Sequence, residues 1–428
     1  MVMMLSSHKT RSESWAIIDG LSRRKRMVTL REIRAAAERI RGVVHHTPLD
    51  RSENFSRVTG ARIFLKLESL QRGGSFKIRG AYNCIAQLSP EQRARGVAAV
   101  SAGNHAQGVA LACKMLHVPA TIFMPLNTPL AKIQATQGYG AHVELAGESF
   151  HEAYLALQKW QKTHRAVLVH PFDDNRIIAG QGTVALELLE DCPDLDMIVA
   201  PIGGGGLVSG IACAAKSLNS RIRILGVQAA GANAACLSKK SGERVELEKV
   251  ATLADGIAIK GPSRRTWTLL REYVDDVVQV SDAQIAHAVL LFLERSRLVV
   301  EGAGAAPLAA MVDGRIRARG KNVALVVSGG NIDSLMLSNL IQKSLVEQGR
   351  IVRFSLIISD APGSLAKLLE HIASYRASIL DVTHDRMSSR VGLGSTGVEV
   401  TLETRGHPHI REISRGLRAA GYPVSKNL

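Results

Sequence analysis

Over about three hundred residues, short apolar runs alternate with segments of helical periodicity, and this alternation constrains the fold more than any other feature. Runs at 61–67, 96–101, 120–124, 142–145, 167–170, 197–202, 222–228 and 323–328 predict strands. Several are apolar throughout, as in a parallel strand covered by helices on both faces. Such alternation builds a layered α/β architecture. A helix precedes it. Thr29 with Glu32 is a capping-box pattern, and Leu30, Ile33, Ala37 and Ile40 share one helical face. A chain of 428 residues exceeds a single core, so two or three domains are expected.

Near Leu340 the pattern changes. A polar connection at 342–350 leads into a last unit spanning 351–428. There the order is strand 351–359, helix 363–373, strand 378–387, strand 397–403, helix 408–420 and strand 422–425. That is the βαββαβ plan of a ferredoxin-like domain. No internal repeat is visible.

The net charge of +16 raises the question of nucleic acid. Six Lys and Arg in the first 26 residues face only Glu13 and Asp19, and the rest are dispersed. No basic run alternates with aromatics as a stacking surface needs, so no nucleic-acid partner is expected. No apolar stretch is long enough to span a membrane. Cys84, Cys113, Cys192, Cys213 and Cys236 follow no metal-ligand spacing, and no metal site is expected. Reduced thiols in a cytoplasm are the simple reading. The Ser/Arg-rich head, taken as an extension over 1–28, is open to three readings: a targeting peptide, a disordered tail, or a start upstream of a true initiator at Met27.

Four glycine-bearing loops follow predicted strands. In Gly73-Gly74-Ser75-Phe76-Lys77, the lysine starts a predicted helix. The helix dipole there lowers an amine's pKa and favours a nucleophile. The plain alternative is a solvated lysine, which the apolar neighbours Phe76 and Ile78 oppose. Ser101-Ala102-Gly103-Asn104-His105 opens a helix whose N–H groups suit a carboxylate, although Ser101 as an ordinary N-cap also satisfies the pattern. Gly203-Gly204-Gly205-Gly206-Leu207 forms a nest of N–H groups that suits a phosphate. The dinucleotide and Walker patterns are missing. In Ser328-Gly329-Gly330-Asn331, the hydroxyl can meet a heterocyclic nitrogen or cap the next helix. A lysine, a phosphate nest, a carboxylate loop and a hydroxyl are together the parts of a pyridoxal-phosphate (PLP) site.

These four motifs occur in family order with His46-Thr47-Pro48-Leu49, Ala179-Gly180-Gln181-Gly182-Thr183 and Ala254-Asp255-Gly256-Ile257-Ala258. Together they resemble the threonine/serine dehydratase family of fold-type II PLP enzymes. The last unit is similar to an ACT domain, with Asp360, Ala361, Pro362, Gly363, Ser364 and Leu365 as its ligand turn. The layout matches the medium-form members of the family. The resemblance implies a tryptophan-synthase-β-like α/β fold of two subdomains over 29–342. The smaller subdomain, about 96–173, is inserted in the larger.

The resemblance also implies roles. Lys77 forms the Schiff base and shuttles the Cα proton; Phe76 stacks near the ring; Asn104 meets the 3-hydroxyl. Gly203, Gly204, Gly205, Gly206 and Leu207 hold the phosphate. Ser328 faces the pyridine nitrogen, and Glu301 lies near the ring edge unless it is merely a helix-start acid. Ser101, Ala102, Gly103, Asn104 and His105 surround the substrate carboxylate. A neutral hydroxyl at Ser328 leaves the nitrogen unprotonated. Prompt loss of a β-hydroxyl is then favoured over transamination. The expected reaction converts L-threonine to 2-oxobutanoate and ammonia, and L-serine to pyruvate.

Two departures qualify the resemblance. Racemases have a second serine where Ala102 stands, so racemisation is not expected. Members with a divalent cation carry carboxylates where Gln228 and Ala234 stand, so that site is not expected, although backbone carbonyls can still hold a monovalent cation. The alternatives are a dehydratase for serine or 3-hydroxyaspartate, a non-catalytic sensor that keeps the fold, and, far behind, a nucleotide-binding protein. An isoleucine, valine or other amino-acid effector at the ACT unit and a homodimer or homotetramer complete the expectation.

Overall fold

The computed structural model describes residues 27–385 and 392–427. The head up to Arg26 lies outside the described residues. The chain divides into two compact units, one up to Asp333 and one from Ser334.

The first unit contains β1 (Leu49–Ser52), β2 (Arg62–Lys66), β3 (Val97–Val100), β4 (Ala120–Met124), β5 (His142–Leu145), β6 (Val167–Leu168), β7 (Met197–Pro201), β8 (Arg223–Ala229), β9 (Asp276–Val280) and β10 (Asn322–Val326). One sheet has the order β1-β2-β10-β7-β8-β9, parallel except for β1 against β2. The other is wholly parallel, in the order β5-β4-β3-β6. All strands of this smaller sheet fall between β2 and β7 in sequence. β3 and β7 are buried along their whole length, because helices cover both faces.

Sequence periodicity misses β1 and β9, and both are edges of the large sheet. β1 has the sequence LDRS and is mostly exposed; only its register, Leu49 opposite Lys66, makes it a strand. The helices behind the site approach one another through glycine. A Cβ on Gly180 would fall 2.6 Å from the Arg79 carbonyl oxygen, and one on Gly210 would fall 2.3 Å from that of Ile178. Helices Lys77–Ile85, Asn175–Asp191 and Gly206–Leu218 therefore meet backbone to backbone.

The second unit opens with helix Ser334–Glu347. Much of the connection expected at 342–350 is thus helical. It reads as polar because Leu340 and Ser344 are the buried positions of a largely exposed helix. Then follow β11 (Ile351–Ser359), helix Ser364–Ser374, β12 (Ser378–Asp385), β13 (Ser395–Glu403), helix His407–Ala419 and β14 (Val424–Asn427). The antiparallel sheet has the order β12-β13-β11-β14, the ferredoxin-like arrangement. β11 alternates buried and open positions, and its inward Phe354 and Leu356 pack with Val400, Leu402, Ile413 and Leu417.

Candidate active site

Lys77 is the first residue of helix Lys77–Ile85, behind a turn in which Gly73 and Gly74 have φ of 72° and 71°. The turn is stitched to the end of β10: Ser75 bridges Gly329, and the Phe76 N–H donates to the Ser328 carbonyl at 3.2 Å. This brings the first and fourth loops together. The Lys77 amine donates to the Pro171 carbonyl at 3.1 Å and lies 5.2 Å from the Phe76 ring centroid. Burial lowers its pKa to about 8, and the Glu301 carboxylate opposes the shift. The depression expected from the helix dipole is present, but desolvation is its main cause.

Gly203, Gly204 and Gly205 lie between β7 and helix Gly206–Leu218, which the fourth glycine opens. Gly205 is left-handed with φ 90°, and the Ser209 N–H donates to the Gly205 carbonyl at 3.0 Å. The N–H groups ahead of that bond have no helical acceptor and can face an anion. A Cβ on Gly204 would fall 2.3 Å from the Phe172 ring, and one on Gly203 would fall 3.1 Å from Ile257 Cα. Only glycine lets this backbone lie between those walls. Leu207 points its side chain into the core, so it offers the site its amide alone. A cradle of this shape and donor set fits the phosphate of PLP, and Lys77 fits its aldehyde.

Glu301 precedes helix Gly302–Val312, but its carboxylate does not cap that helix. Instead, both its oxygens accept from Asn104 Nδ2, at 2.8 and 2.9 Å. Asn104 Oδ1 accepts in turn from Asn331 Nδ2 at 2.9 Å, which also donates to the Gly73 carbonyl at 2.7 Å. Burial raises the Glu301 pKa to about 7 against the Asn104 hydrogen bonds and the Lys132 and Lys77 charges. Glu301 thus stands at the helix start, as its N-cap residue, while its carboxylate is buried beside the asparagine loop.

The helix boundaries bear on two further alternatives. Ser328 caps no helix, because the next one begins at Ser334; it is buried, and no hydrogen bond to its hydroxyl occurs among the described residues. Ser101 is not the N-cap of helix Asn104–Leu116, which has Gly103 in that position; its hydroxyl accepts from the Gly103 N–H at 3.1 Å. Ala102 and Gly103 are half-buried beside it, and nothing stands within 4 Å of a Cβ built on Gly103. His105 turns its side chain inward. Its ring is buried, Nε2 lies 2.8 Å from the Val169 carbonyl, and burial drives its pKa down to about 3. The neutral ring ties the helix to the small sheet, so only the His105 amide can face a substrate carboxylate.

Gln228 bonds the Ile202 carbonyl at 3.3 Å and the Cys236 N–H at 2.9 Å, a purely structural use. The sequence reading missed Pro171 and Phe172, which meet Lys77 and the glycine loop, and gave no role to Asn331. In the second unit, Gly363 has φ 89° and precedes helix Ser364–Ser374, and the Ser364 N–H donates to the Ala361 carbonyl at 3.1 Å. Asp360, Ala361, Pro362 and Gly363 are exposed, and Ser364 and Leu365 are half-buried.

Fold and site define an α/β enzyme built to hold a phosphorylated aldehyde against a half-buried lysine. Residues 40–329 match the family model described as pyridoxal-phosphate dependent enzyme. The chain belongs to this family and has its type II fold. An L-threonine ammonia-lyase of Thermotoga maritima is 48% identical over 398 residues, covering 93% of this chain and 99% of its own. Another, from Geobacter sulfurreducens, is 45% identical, covering 92% and 98%. The solved structure of maize serine racemase superposes with a TM-score of 0.71 at 38% identity, covering 75% of this chain and 99% of that one. Processed threonine deaminase isoform 2 from Solanum lycopersicum gives 0.71 at 35%, covering 74% and 87%. No helix among the described residues is long and apolar enough to cross a membrane.

Proposed function

We propose that this chain is a threonine ammonia-lyase, which converts L-threonine to 2-oxobutanoate and ammonia, with L-serine to pyruvate as a side reaction. The observation that carries the reading is the Lys77 amine, desolvated to a pKa of about 8 and stitched to the Ser328 loop. The names of the relatives at 48% and 45% identity support the choice of threonine. PLP, when bound, supplies the electron sink that lets the α-proton leave and the β-hydroxyl depart.

The chain's own residues do the rest. Gly203, Gly204, Gly205, Gly206 and the Leu207 amide would hold the phosphate. Lys77 would bind the aldehyde and move the proton at Cα, a task for an amine titrating near the working pH. Ser328 would offer the pyridine nitrogen a neutral hydroxyl rather than a proton. Phe76 would lie beside the ring, and Asn104, held by Glu301 and Asn331, would meet the 3-hydroxyl. Ser101 and the amides of the asparagine loop orient the substrate carboxylate. Ala102 stands where racemases carry a second serine and would offer no base there, so D-serine is not an expected product.

The absorbance spectrum tests the reading. A visible band that shifts with L-threonine while 2-oxobutanoate appears, and that is lost in Lys77→Ala with at least about a 10³-fold fall in turnover, is the expected result. A colourless protein that stays colourless after adding PLP overturns it.

Residues 351–428 are read as an ACT-like regulatory domain because of the βαββαβ sheet and the exposed turn before helix Ser364–Ser374. An amino-acid effector such as isoleucine or valine and a homodimer or homotetramer complete this reading. The five free cysteines fit the reducing cytoplasm as the place of action.

A further inference from the structure

Beneath the Lys77 helix lies a charged cluster that the chemistry above does not use. Arg79, Glu68 and Lys66 are each fully buried. Arg79 Nε and Nη2 donate to the two Glu68 oxygens, both at 2.8 Å. Its Nη1 and Nη2 donate to the two Glu187 oxygens at 2.5 and 2.9 Å. Nη1 also reaches Thr183 Oγ1 at 3.2 Å, and Nη2 reaches the His45 carbonyl at 3.3 Å, so every guanidinium nitrogen is engaged. Lys66 closes the cluster on Glu187 at 2.6 Å.

Burying such a network is a poor way to gain stability, since apolar residues of similar volume usually do as well or better. What a doubly forked guanidinium provides is geometry: two carboxylates fix its plane and direction. Glycine brings the neighbouring helices close: a Cβ on Gly108 would fall 3.0 Å from Lys77 Cβ, and Gly80 and Gly180 touch backbone to backbone. Further along the helix, the Gly80 N–H donates to Gln181 Oε1 at 3.2 Å and Asn83 Nδ2 donates to the Arg176 carbonyl at 2.6 Å. Each of these is a single bond, about which a side chain can pivot, whereas the fork at Arg79 fixes a plane. Arg79 lies two residues beyond Lys77, in the same first turn, and its N–H donates to the Phe76 carbonyl at 3.0 Å.

We propose that Arg79, clamped between Glu68 and Glu187, is a positioning residue that sets the register of the Lys77 helix and so aims the Lys77 amine. This rests on the reading of Lys77 as the amine that binds PLP. The amine attacks the aldehyde carbon, the C–N bond forms, and the carbonyl oxygen leaves as water. Aim governs that step, whereas phosphate binding does not depend on it.

The test is the double variant Arg79→Met/Glu68→Gln, which removes one charge of each sign and keeps an acceptor for Thr47. Apoprotein is mixed with PLP, the reducible Lys77 bond is trapped with borohydride at timed intervals and quantified by mass spectrometry, and non-covalent PLP binding is followed by fluorescence quenching. We expect capture by Lys77 to slow on the order of 100-fold, with non-covalent affinity and Tm near those of the parent chain, and kcat to fall while KM holds. Thr183→Val, a milder change at one acceptor, slows capture several-fold at unchanged Tm. A lower Tm with capture at the parental rate, in either variant, overturns the proposal and leaves the cluster a structural one. If the parent chain itself forms no reducible bond at Lys77, the PLP reading fails first, and this inference with it.

Discussion

In the first unit, Arg79 and Lys66 are among the largest fully buried side chains. In the second, the buried core is Val352, Phe354, Leu356, Val400, Leu402 and their neighbours, and no Lys, Arg, Asp or Glu is buried among the described residues. One unit holds charge and bare backbone in its interior, and the other alternates apolar and polar along antiparallel strands. A site that must desolvate an amine and cradle a dianion needs buried polarity and glycine contacts. A sheet that packs one face on apolar helices and leaves much of β11 and β12 open to solvent needs neither.

Perturbing each interior in turn should leave the other unchanged. The largest effect is expected from Leu402→Ala, which opens a cavity in the second core and costs about 2–5 kcal/mol. A separate early melting transition with unchanged PLP content is the expected outcome; loss of PLP would mean that the interiors are not independent. In the first unit, Gly204→Val drives a side chain into the Phe172 ring. PLP affinity should weaken on the order of 100-fold, as when two charge-assisted hydrogen bonds are lost, and fluorescence titration reads it.

Acidity sharpens the contrast. The neutral form of Lys77 is the nucleophile, and its pKa is about 8. Capture of PLP by apoprotein should therefore rise about tenfold per pH unit below 8 and flatten above it. A profile rising steadily to pH 10 would mean an ordinary solvated lysine. The smallest effect is Gly363→Val, which places a β-branched residue at φ 89° and costs about 1–2 kcal/mol locally. Response to an amino-acid effector should vanish with kcat unchanged, as assays with and without isoleucine would reveal.

The same contrast decides what was legible. β11 alternates cleanly, and the strand expected at 351–359 coincides with Ile351–Ser359. β1 and β9 were missed because LDRS and DVVQV are partly exposed and carry no continuous apolar run. Lys77 and the four glycines stood out because their motifs are contiguous. The Asn104 contacts did not: Glu301 and Asn331 arrive from 197 and 227 residues away. Pro171 contributes a carbonyl, which carries no residue-specific signal. The direction of the His105 ring was not legible, because neighbours on a helix point about 100° apart, and the ring turns to Val169 while the amide stays at the asparagine loop.

The depressed pKa of Lys77 has a consequence outside the catalytic cycle. At pH 8 about half of these amines hold a free lone pair, against well under about 1% for an ordinary lysine. Until PLP arrives, Lys77 is a standing target for acylating agents, cyanate and sugar aldehydes. Chemical ageing of the apoprotein should therefore begin at this residue, and occupancy by its own cofactor is the protection against it.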